Sequence, residues 1–184
     1  MEDLSLHILD IAENSIEAGA TRVEIAITES IEKDLLMIEV ADNGKGMDRE
    51  VLSRVGDPFF TTRTKKKSFG LGIPLLKQAA EECGGELSID SSPGKGTVLR
   101  ASFRLGHMDL KPMGDLGSTM VALLAGHPEL DYVLDYKKNG FSYILNTGEI
   151  KKALGEVPVN IAPVLKLIKD EVNEAMRQKD LHGN

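Results

Sequence analysis

The stretch that most constrains the fold runs from residue 57 to residue 78, DPFFTTRTKKKSFGLGIPLLKQ. Its centre is polar and cationic and lacks the apolar periodicity of a helix or a strand. It leads into Gly70, Leu71 and Gly72, which open an apolar segment with Pro74 in its first turn, where a missing N–H costs little. A cationic loop before a glycine-rich helix N-terminus is typical of a phosphate site, because the helix end offers free N–H groups and the positive end of its dipole. The same glycines could also serve as turn residues only.

Composition sets the broad class of protein. The 184 residues are 41% hydrophobic but only 4% aromatic, which indicates one domain, or one domain with an appendage, around an aliphatic core. The net charge of −7 argues against nucleic acid as the main partner. A single cysteine, Cys83, rules out an intramolecular disulfide. The acidic start MEDLSLHILD is unlike a signal peptide, and no apolar run approaches the roughly 20 residues of a membrane span. We therefore expect a cytoplasmic protein without a membrane partner.

The N-terminal segment, residues 3–18, predicts an amphipathic helix that ends at Gly19. Its polar residues at helical spacing form one row, which consists of His7, Asp10, Asn14 and Glu17. Asparagine is a poor residue for a helix interior, so Asn14 needs an explanation. A solvated helix face explains the row as well as a ligand site does, and both interpretations stay open.

Two strands are predicted next, at residues 21–27 and 35–41, and they form an antiparallel hairpin. The second strand runs into Asp42–Met47, DNGKGM, where two glycines after an acid mark a tight loop that lets a ligand come close. The elements that follow are a short helix capped by Asp48, a helix from Ile73 to about Cys83 that ends at Gly84 and Gly85, and strands at 86–90 and 97–105.

Four motifs in this order resemble those of the GHKL ATPases, a superfamily that includes histidine kinases, anti-sigma-factor kinases, gyrase B, MutL and a heat-shock chaperone. The first two are Asp10-x-x-x-Asn14 and DNGKGM. The third is DPFFTTR with FGLGIPLLKQ, and the fourth is CGGELSIDSSPGKGT. The segment ENSIEAGATRVEI is especially similar to MutL, whereas the later motifs are most similar to the histidine-kinase ATP domain.

The resemblance implies an α/β fold, a two-layer α/β sandwich of the Bergerat type. Helices would cover one face of a mixed, largely antiparallel sheet. ATP would bind between a helix and a lid formed by residues 61–69. The ATP-binding domain would comprise residues 1–105, and residues 106–184 would form a small α+β extension.

The resemblance also implies roles for single residues. Asp42 would accept a hydrogen bond from the adenine amino group, and since guanine presents an oxygen there, ATP would be preferred to GTP. Thr97 would support adenine through its hydroxyl and a water. Asn14 would bind Mg²⁺ through its amide oxygen, since Mg²⁺ takes few protein ligands. The other cofactor-binding residues would be Gly44, Gly46 and Met47, the lid lysines Lys65, Lys66 and Lys67, and Gly70, Leu71 and Gly72. The lysines could equally be a solvated loop.

Two departures from the family pattern affect the expected chemistry. The ATP-hydrolysing members carry Glu where this chain has Asp10, whose carboxylate reaches one methylene less far, so hydrolysis would be slow. A complete histidine kinase also has a helical segment with a phosphoacceptor histidine before its ATP domain, and here the first helix begins near residue 3. His7 could approach the γ-phosphate, or it could be a helix-end histidine in solvent.

Residues 106–184 show a different pattern. A linker at 106–114 precedes an apolar helix at 115–125. The further predictions are a hairpin of strands 132–136 and 141–145 around Asn139-Gly140, a helix capped by Thr147, and an amphipathic helix at 162–178. This segment resembles extensions of small stand-alone ATPases that occur with redox-enzyme and iron-hydrogenase gene sets. It would dock a partner protein or regulate the lid, and a purely structural role is the alternative.

Two functional hypotheses stay open. The first is an ATP-dependent protein kinase or slow ATPase that acts on a separate partner protein or phosphoacceptor. The second is a nucleotide-dependent regulatory binding module with little turnover, which Asp10 and the missing acceptor segment favour. A MutL-like role in DNA repair ranks third, because the acidic chain lacks a DNA-binding surface.

Overall fold

The computed structural model describes residues 3–56 and 71–177 of the chain. The predicted lid, including Lys65, Lys66, Lys67 and the adjoining Gly70, lies outside the described residues. The described elements are α1 (Leu4–Glu17), β1 (Arg22–Ser30), β2 (Leu35–Asp42), α2 (Arg49–Arg54), α3 (Gly72–Glu82), β3 (Leu87–Ser91), β4 (Thr97–Arg104), α4 (Leu116–Gly126), β5 (Asp131–Lys138), β6 (Phe141–Asn146), α5 (Thr147–Leu154) and α6 (Ala162–Arg177).

The strands form one sheet in the order β3-β4-β2-β1-β5-β6. The β1–β2, β2–β4, β3–β4 and β5–β6 pairs are antiparallel, and only the β1–β5 pair among these is parallel. Helix α1 contacts β1 and β2, α3 contacts β3 and β4, and α4 packs on α1 and α6. This arrangement confirms the predicted α/β sandwich with a mixed, largely antiparallel sheet.

The core lies between the sheet and these helices. Alternate residues of each central strand point into it, as the period of two along a strand requires. The buried strand positions include Val23, Ile25, Ile27, Leu36, Ile38, Val40, Leu99, Ala101, Phe103, Tyr132, Leu134 and Tyr136. Truncating one of the larger of these side chains to alanine typically costs about 2–5 kcal/mol of stability. None of the helices within 3–56 and 71–177 is long and apolar enough to cross a membrane.

Residues beyond 105 continue the same sheet, because β5 lies parallel to β1 and β6 forms the edge. The predicted hairpin is present: Lys138 pairs with Phe141, and the intervening Asn139 and Gly140 have φ angles of 45° and 90°. Positive φ at both central residues is typical of the type I′ turn that suits the twist of a hairpin. The side-chain oxygen of Asn139 also accepts a hydrogen bond from the Ile31 N–H at 3.0 Å, which ties this turn to the β1–β2 turn. The functional division at residue 105 stays a prediction.

The start of α5 differs from the sequence prediction. Asn146, rather than Thr147, is the N-cap, and its side-chain oxygen accepts hydrogen bonds from the N–H groups of Gly148 at 3.0 Å and Glu149 at 3.4 Å. Thr147 is buried, and its hydroxyl accepts a hydrogen bond from the Tyr132 N–H at 2.8 Å. The prediction of Thr147 as the cap was wrong because the threonine hydroxyl serves the neighbouring strand.

His7 occupies neither of the positions expected for it. Its side chain is 1% exposed, and neither ring nitrogen has a hydrogen-bond partner among the described residues. The cause is the linker before α4, which crosses the first turn of α1: the N–H groups of Leu4 and Ser5 donate to the carbonyls of Pro112 and Met113. The polar row of α1 is therefore broken at its first member, and His7 belongs to the core.

The two roles at the start of α5 can be separated by mutation. Replacing Thr147 with Val keeps the shape but leaves the buried Tyr132 N–H without its acceptor, so the free energy of unfolding should fall by about 1–3 kcal/mol. Asn146→Ala should lose about 1 kcal/mol through the cap. Urea unfolding measures both, and Thr147→Ser, which keeps the hydroxyl, is the control. If Asn146→Ala proves neutral, the assignment of the cap is wrong.

His7 should make stability depend on pH. Burial, and then the charge of Lys111, lowers the pKa of His7 from 6.5 to about 4. As the pH falls from 6.5 towards 4, the unfolded chain therefore binds a proton that the folded chain does not, and the free energy of unfolding decreases. Across the whole window the loss should be about 3 kcal/mol. Unfolding curves of the parent and His7→Leu between pH 7 and pH 4 test this, and parallel pH profiles would contradict it.

Candidate functional site

The candidate site lies at the end of the sheet where β2 stops. Asp42 is the last residue of β2, and it is paired with Thr97, the first residue of β4. The Ser15 hydroxyl on α1 donates to Asp42 Oδ2 at 2.8 Å, and the Gly44 N–H donates to Asp42 Oδ1 at 2.8 Å. The carboxylate of Asp42 is therefore held at both oxygens, from two different segments of the chain.

The residue after Asp42 anchors the loop to the start of β1. Asn43 Oδ1 accepts hydrogen bonds from the N–H groups of Thr21 at 2.9 Å and Arg22 at 3.0 Å. Asn43 Nδ2 donates to Thr21 Oγ1 at 2.8 Å. Both the oxygen and the nitrogen of the Asn43 amide therefore help to fix the loop.

The glycines of this region are required by close packing of the chain itself. A Cβ atom added at Gly44 would lie 2.9 Å from the Ala18 carbonyl oxygen, and one at Gly46 would lie 2.0 Å from the Ser92 carbonyl oxygen. Such separations are not tolerated between a Cβ and backbone atoms, so neither position accepts a larger residue without a backbone shift. The further prediction, that these glycines give a nucleotide room, stays a prediction.

A hydroxyl network connects the glycine loop with β4. The Met47 N–H donates to Ser91 Oγ at 2.8 Å, and Ser91 Oγ donates to the Gly96 carbonyl at 2.9 Å. The hydroxyls of Ser91 and Thr97 lie 2.9 Å apart. Ser91 donates its one hydroxyl proton to the Gly96 carbonyl, which can only accept, so the Thr97 hydroxyl is the donor to Ser91. The lone pairs of the Thr97 hydroxyl can then accept from a further donor.

The second group of predicted site residues lies where α1 meets the start of α3. A Cβ atom added at Gly72, the first residue of α3, would lie 3.1 Å from Asp10 Cβ and 3.3 Å from Asp10 Oδ2. Leu71 is the N-cap and supplies no side-chain hydrogen bond to the helix. Asn14 lies one turn beyond Asp10 on α1 and is half-buried. The acid and the glycine-rich helix start are therefore in direct proximity.

These residues are compatible with Mg²⁺ only when phosphate supplies further ligands. The described residues contain no group of three or more His, Cys, Asp or Glu side chains that could hold a metal ion. One amide oxygen, from Asn14, is a weak donor set alone, but Mg²⁺ usually keeps several waters and binds through phosphate oxygens. The donor set thus fits a nucleotide-bound Mg²⁺ and does not fit an independent metal centre.

The predicted residues fall into two described groups, one of Asp42, Gly44, Gly46, Met47 and Thr97, and one of Asp10, Asn14, Leu71 and Gly72. Sequence reasoning missed three residues that organise the first group: Ser15, Asn43 and Ser91. For Ser15 a signal existed, because it follows Ile8 and Ile11 at helical spacing on the apolar face, where a buried serine needs a partner.

A separate cavity of about 650 Å³ lies at the opposite end of the sheet. Leu36 near the start of β2, and Glu29 and Lys138 near the ends of β1 and β5, are among its lining residues. None of the described sequence-predicted site residues lines it. The hydrogen-bond network around Asp42, rather than cavity size, therefore defines the candidate site.

The chain is similar to known proteins in sequence and in fold. The chain is 37% identical over 97 residues to sporulation kinase C of Bacillus subtilis. The matched region makes up 53% of this chain and 22% of that kinase. Identity to sporulation kinase A of the same organism is 35% over 103 residues, which covers 56% of this chain and 16% of that kinase. The chain thus spans about a fifth of the length of these relatives.

The crystal structure of the N-terminal domain of a DNA repair protein has a similar fold, with a TM-score of 0.56 and 16% identity, covering 79% of this chain and 53% of that chain. The sequence model of the histidine kinase-, DNA gyrase B- and HSP90-like ATPases matches residues 2–107, which include every residue of the two groups around Asp42 and Asp10. With more than half of its length matched, the chain belongs to the family of histidine kinase-, DNA gyrase B- and HSP90-like ATPases.

Proposed function

We propose that the chain binds Mg-ATP between the Asp42 loop and the start of α3 and acts as an ATP-dependent protein kinase or slow ATPase on a separate partner protein. The observation that carries this proposal is the Asp42 carboxylate, which Ser15 and Gly44 hold at the end of β2 within an ATPase domain. A fixed carboxylate at the base of such a site suits recognition of a donor on a ligand.

Asp42 is proposed to accept a hydrogen bond from the 6-amino group of adenine. Each carboxylate oxygen has two acceptor positions, and Ser15 and Gly44 use one on each oxygen, so acceptor capacity is left for a base. Thr97 can accept a further hydrogen bond while it donates to Ser91. Guanine would direct a carbonyl oxygen at Asp42, and two acceptors facing each other in a partly buried site are unfavourable.

Asn14, Asp10 and the start of α3 are proposed to form the phosphate end. Bound Mg²⁺ would neutralise charge on the β- and γ-phosphates, and Asn14 would hold it through its amide oxygen. Asp10 would orient the attacking water or acceptor hydroxyl and receive its proton. The proximity of Asp10 to Gly72 supports this assignment, since the N–H groups at the start of a helix favour phosphate oxygens.

The partner is proposed to be a phosphoacceptor on another protein, in keeping with the similarity to the sporulation kinases. Residues 106–184 would dock that partner, which we propose to be associated with redox enzymes or a hydrogenase. The extension is suited to transmit a contact, because β5 pairs with β1 along its whole length. In turn, β1 begins at Arg22, whose N–H is bound by Asn43 next to Asp42.

A second candidate function, a nucleotide-dependent binding module with little turnover, is favoured by one observation. Asp10 packs against Gly72, and its carboxylate reaches less far than the Glu of hydrolysing members would. Binding would then alter partner affinity without rapid chemistry. The same Asp10 variants distinguish this candidate from the kinase or ATPase.

Replacing Asp42 with Asn tests the proposed role of Asp42 as the base reader, the residue that recognises the base. The amide of Asn has one acceptor oxygen, whereas the carboxylate has two. That oxygen is needed to accept from the Gly44 N–H, so the amide NH₂ group would face Ser15 or the base. We expect ATP affinity to fall by about 10- to 100-fold, and the preference for ATP over GTP to shrink. Calorimetry with both nucleotides and Mg²⁺ measures this, and equal ATP affinity in parent and variant would remove Asp42 from the site.

Variants of α1 should separate metal binding from chemistry. Asn14→Ala should lower Mg-ATP affinity and any turnover together. Asp10→Asn should leave ATP binding nearly intact and lower turnover by about 10²-fold or more if Asp10 acts as a general base. Asp10→Glu should raise hydrolysis if reach is limiting. Phosphate release measured at saturating ATP gives these rates, and identical rates in all three Asp10 forms, with ATP still bound, would favour the binding module.

A further inference from the structure

Ser15 is the one buried hydroxyl of α1 that faces the candidate site, and nothing in the family resemblance gave it a role. Its side chain is 3% exposed, and its Oγ lies 2.8 Å from Asp42 Oδ2 and 3.4 Å from the Ile11 carbonyl oxygen. A hydroxyl has one proton, and a hydrogen bond to a charged carboxylate is stronger and shorter than one to a carbonyl. The proton of Ser15 is therefore committed to Asp42.

The Ser15 contact fixes the direction from which the Asp42 carboxylate can accept further hydrogen bonds. The Gly44 N–H alone would hold one oxygen and leave the carboxylate free to rotate about the bond to its Cβ. The Ser15 hydroxyl adds a second point of attachment, on the other oxygen and from a different element. Two attachment points define the carboxylate plane, and with it the positions of the unused lone pairs.

We propose that Ser15 is a positioning residue for base selection: it aims the unused acceptor positions of Asp42 so that they match a purine with an amino group at position 6. This inference rests on the proposed function, since it takes Asp42 as the base reader. It extends that function by assigning selectivity to a residue on α1. In the absence of Ser15 the carboxylate still carries its charge, but its acceptor direction is no longer fixed.

The test compares two nucleotides that differ only at position 6 of the base, ATP and purine riboside 5′-triphosphate, which has hydrogen in place of the amino group. Calorimetry with Mg²⁺ gives both affinities for each variant. The parent should prefer ATP by about tenfold or more, as expected for a hydrogen bond to a charged acceptor. Ser15→Ala should reduce that preference by about fivefold, through weaker ATP binding, with the affinity for purine riboside triphosphate nearly unchanged.

Two further variants control for a general structural effect. Ser15→Cys has similar volume but a weak donor, so its preference should be intermediate. Ser5→Ala is the matched control, because Ser5 is also a buried serine of α1 and donates to a carboxylate, Asp3 Oδ1, at 2.8 Å. Its loss should affect stability without changing the preference for ATP.

The outcomes distinguish a failure of the role of Ser15 from a failure of the role of Asp42. If the parent prefers ATP and Ser15→Ala prefers it equally, the role of Ser15 is overturned while Asp42 remains the base reader. If the parent binds both nucleotides equally well, Asp42 does not read the amino group, and the base-reading part of the proposed function fails together with this inference. A reduced preference in Ser15→Ala with an unchanged preference in Ser5→Ala supports the proposal.

Discussion

The close packing of the 42–47 loop on the turn at residues 92–96 is the constraint on which the candidate site depends. A Cβ atom added at Gly96 would lie 1.9 Å from the Asp42 carbonyl oxygen, and one at Gly46 would lie 2.0 Å from the Ser92 carbonyl oxygen. Both glycines also have positive φ angles, 79° and 67°, which disfavour other residues. Because these two chain segments touch, Asp42 at the end of β2 and Thr97 at the start of β4 lie side by side. The shape of the site therefore depends on glycines at positions where a side chain would collide with the neighbouring backbone.

The local elements were predictable because their signals are local. Gly19 ends α1 with a φ of 76°, Asp48 caps α2 through a 2.9 Å hydrogen bond to the Val51 N–H, and Asn139-Gly140 forms the expected hairpin turn. The α/β sandwich was predicted from the order of motifs and is confirmed. The error at Thr147 shows the limit of such signals, because its hydroxyl accepts a hydrogen bond from the N–H of Tyr132, which lies on β5 and is 15 positions away in sequence.

The organising residues of the site were harder to predict because their partners are distant in sequence. Ser15 serves Asp42, which lies 27 positions away, and Ser91 serves Met47, which lies 44 positions away. A serine in the sequence does not by itself predict its partner, since its hydroxyl can form hydrogen bonds with the backbone, a side chain or water. The parallel pairing of β5 with β1 was equally hard to predict, because the two strands are distant in sequence. A strand pattern predicts a strand, but which sheet edge accepts it depends on the whole fold.

Helix α1 connects the two ends of the candidate site. Its buried side presents Ser15 to Asp42, the proposed base reader, and its other side presents Asp10 next to Gly72 at the proposed phosphate end. Ser15 lies five residues beyond Asp10 on α1, which corresponds to a rise of about 7.5 Å along the helix axis. Near its C-terminus the Ala18 carbonyl accepts a hydrogen bond from the Lys45 N–H at 2.9 Å, which locks the helix to the glycine loop.

In the proposed function, the distance between base recognition and phosphate chemistry is therefore set by one helix rather than by two independent loops. A nucleotide with its base bound at Asp42 would have its phosphates directed to a region near Asp10, because Asp10 and Ser15, which holds Asp42, both lie on α1. Alignment of this kind lowers the entropic cost of reaching a reactive geometry. In the proposed function, any rotation of the base at Asp42 would therefore be carried along the nucleotide to the reacting end, and the Ser15 hydroxyl, which holds Asp42 Oδ2, would oppose that rotation.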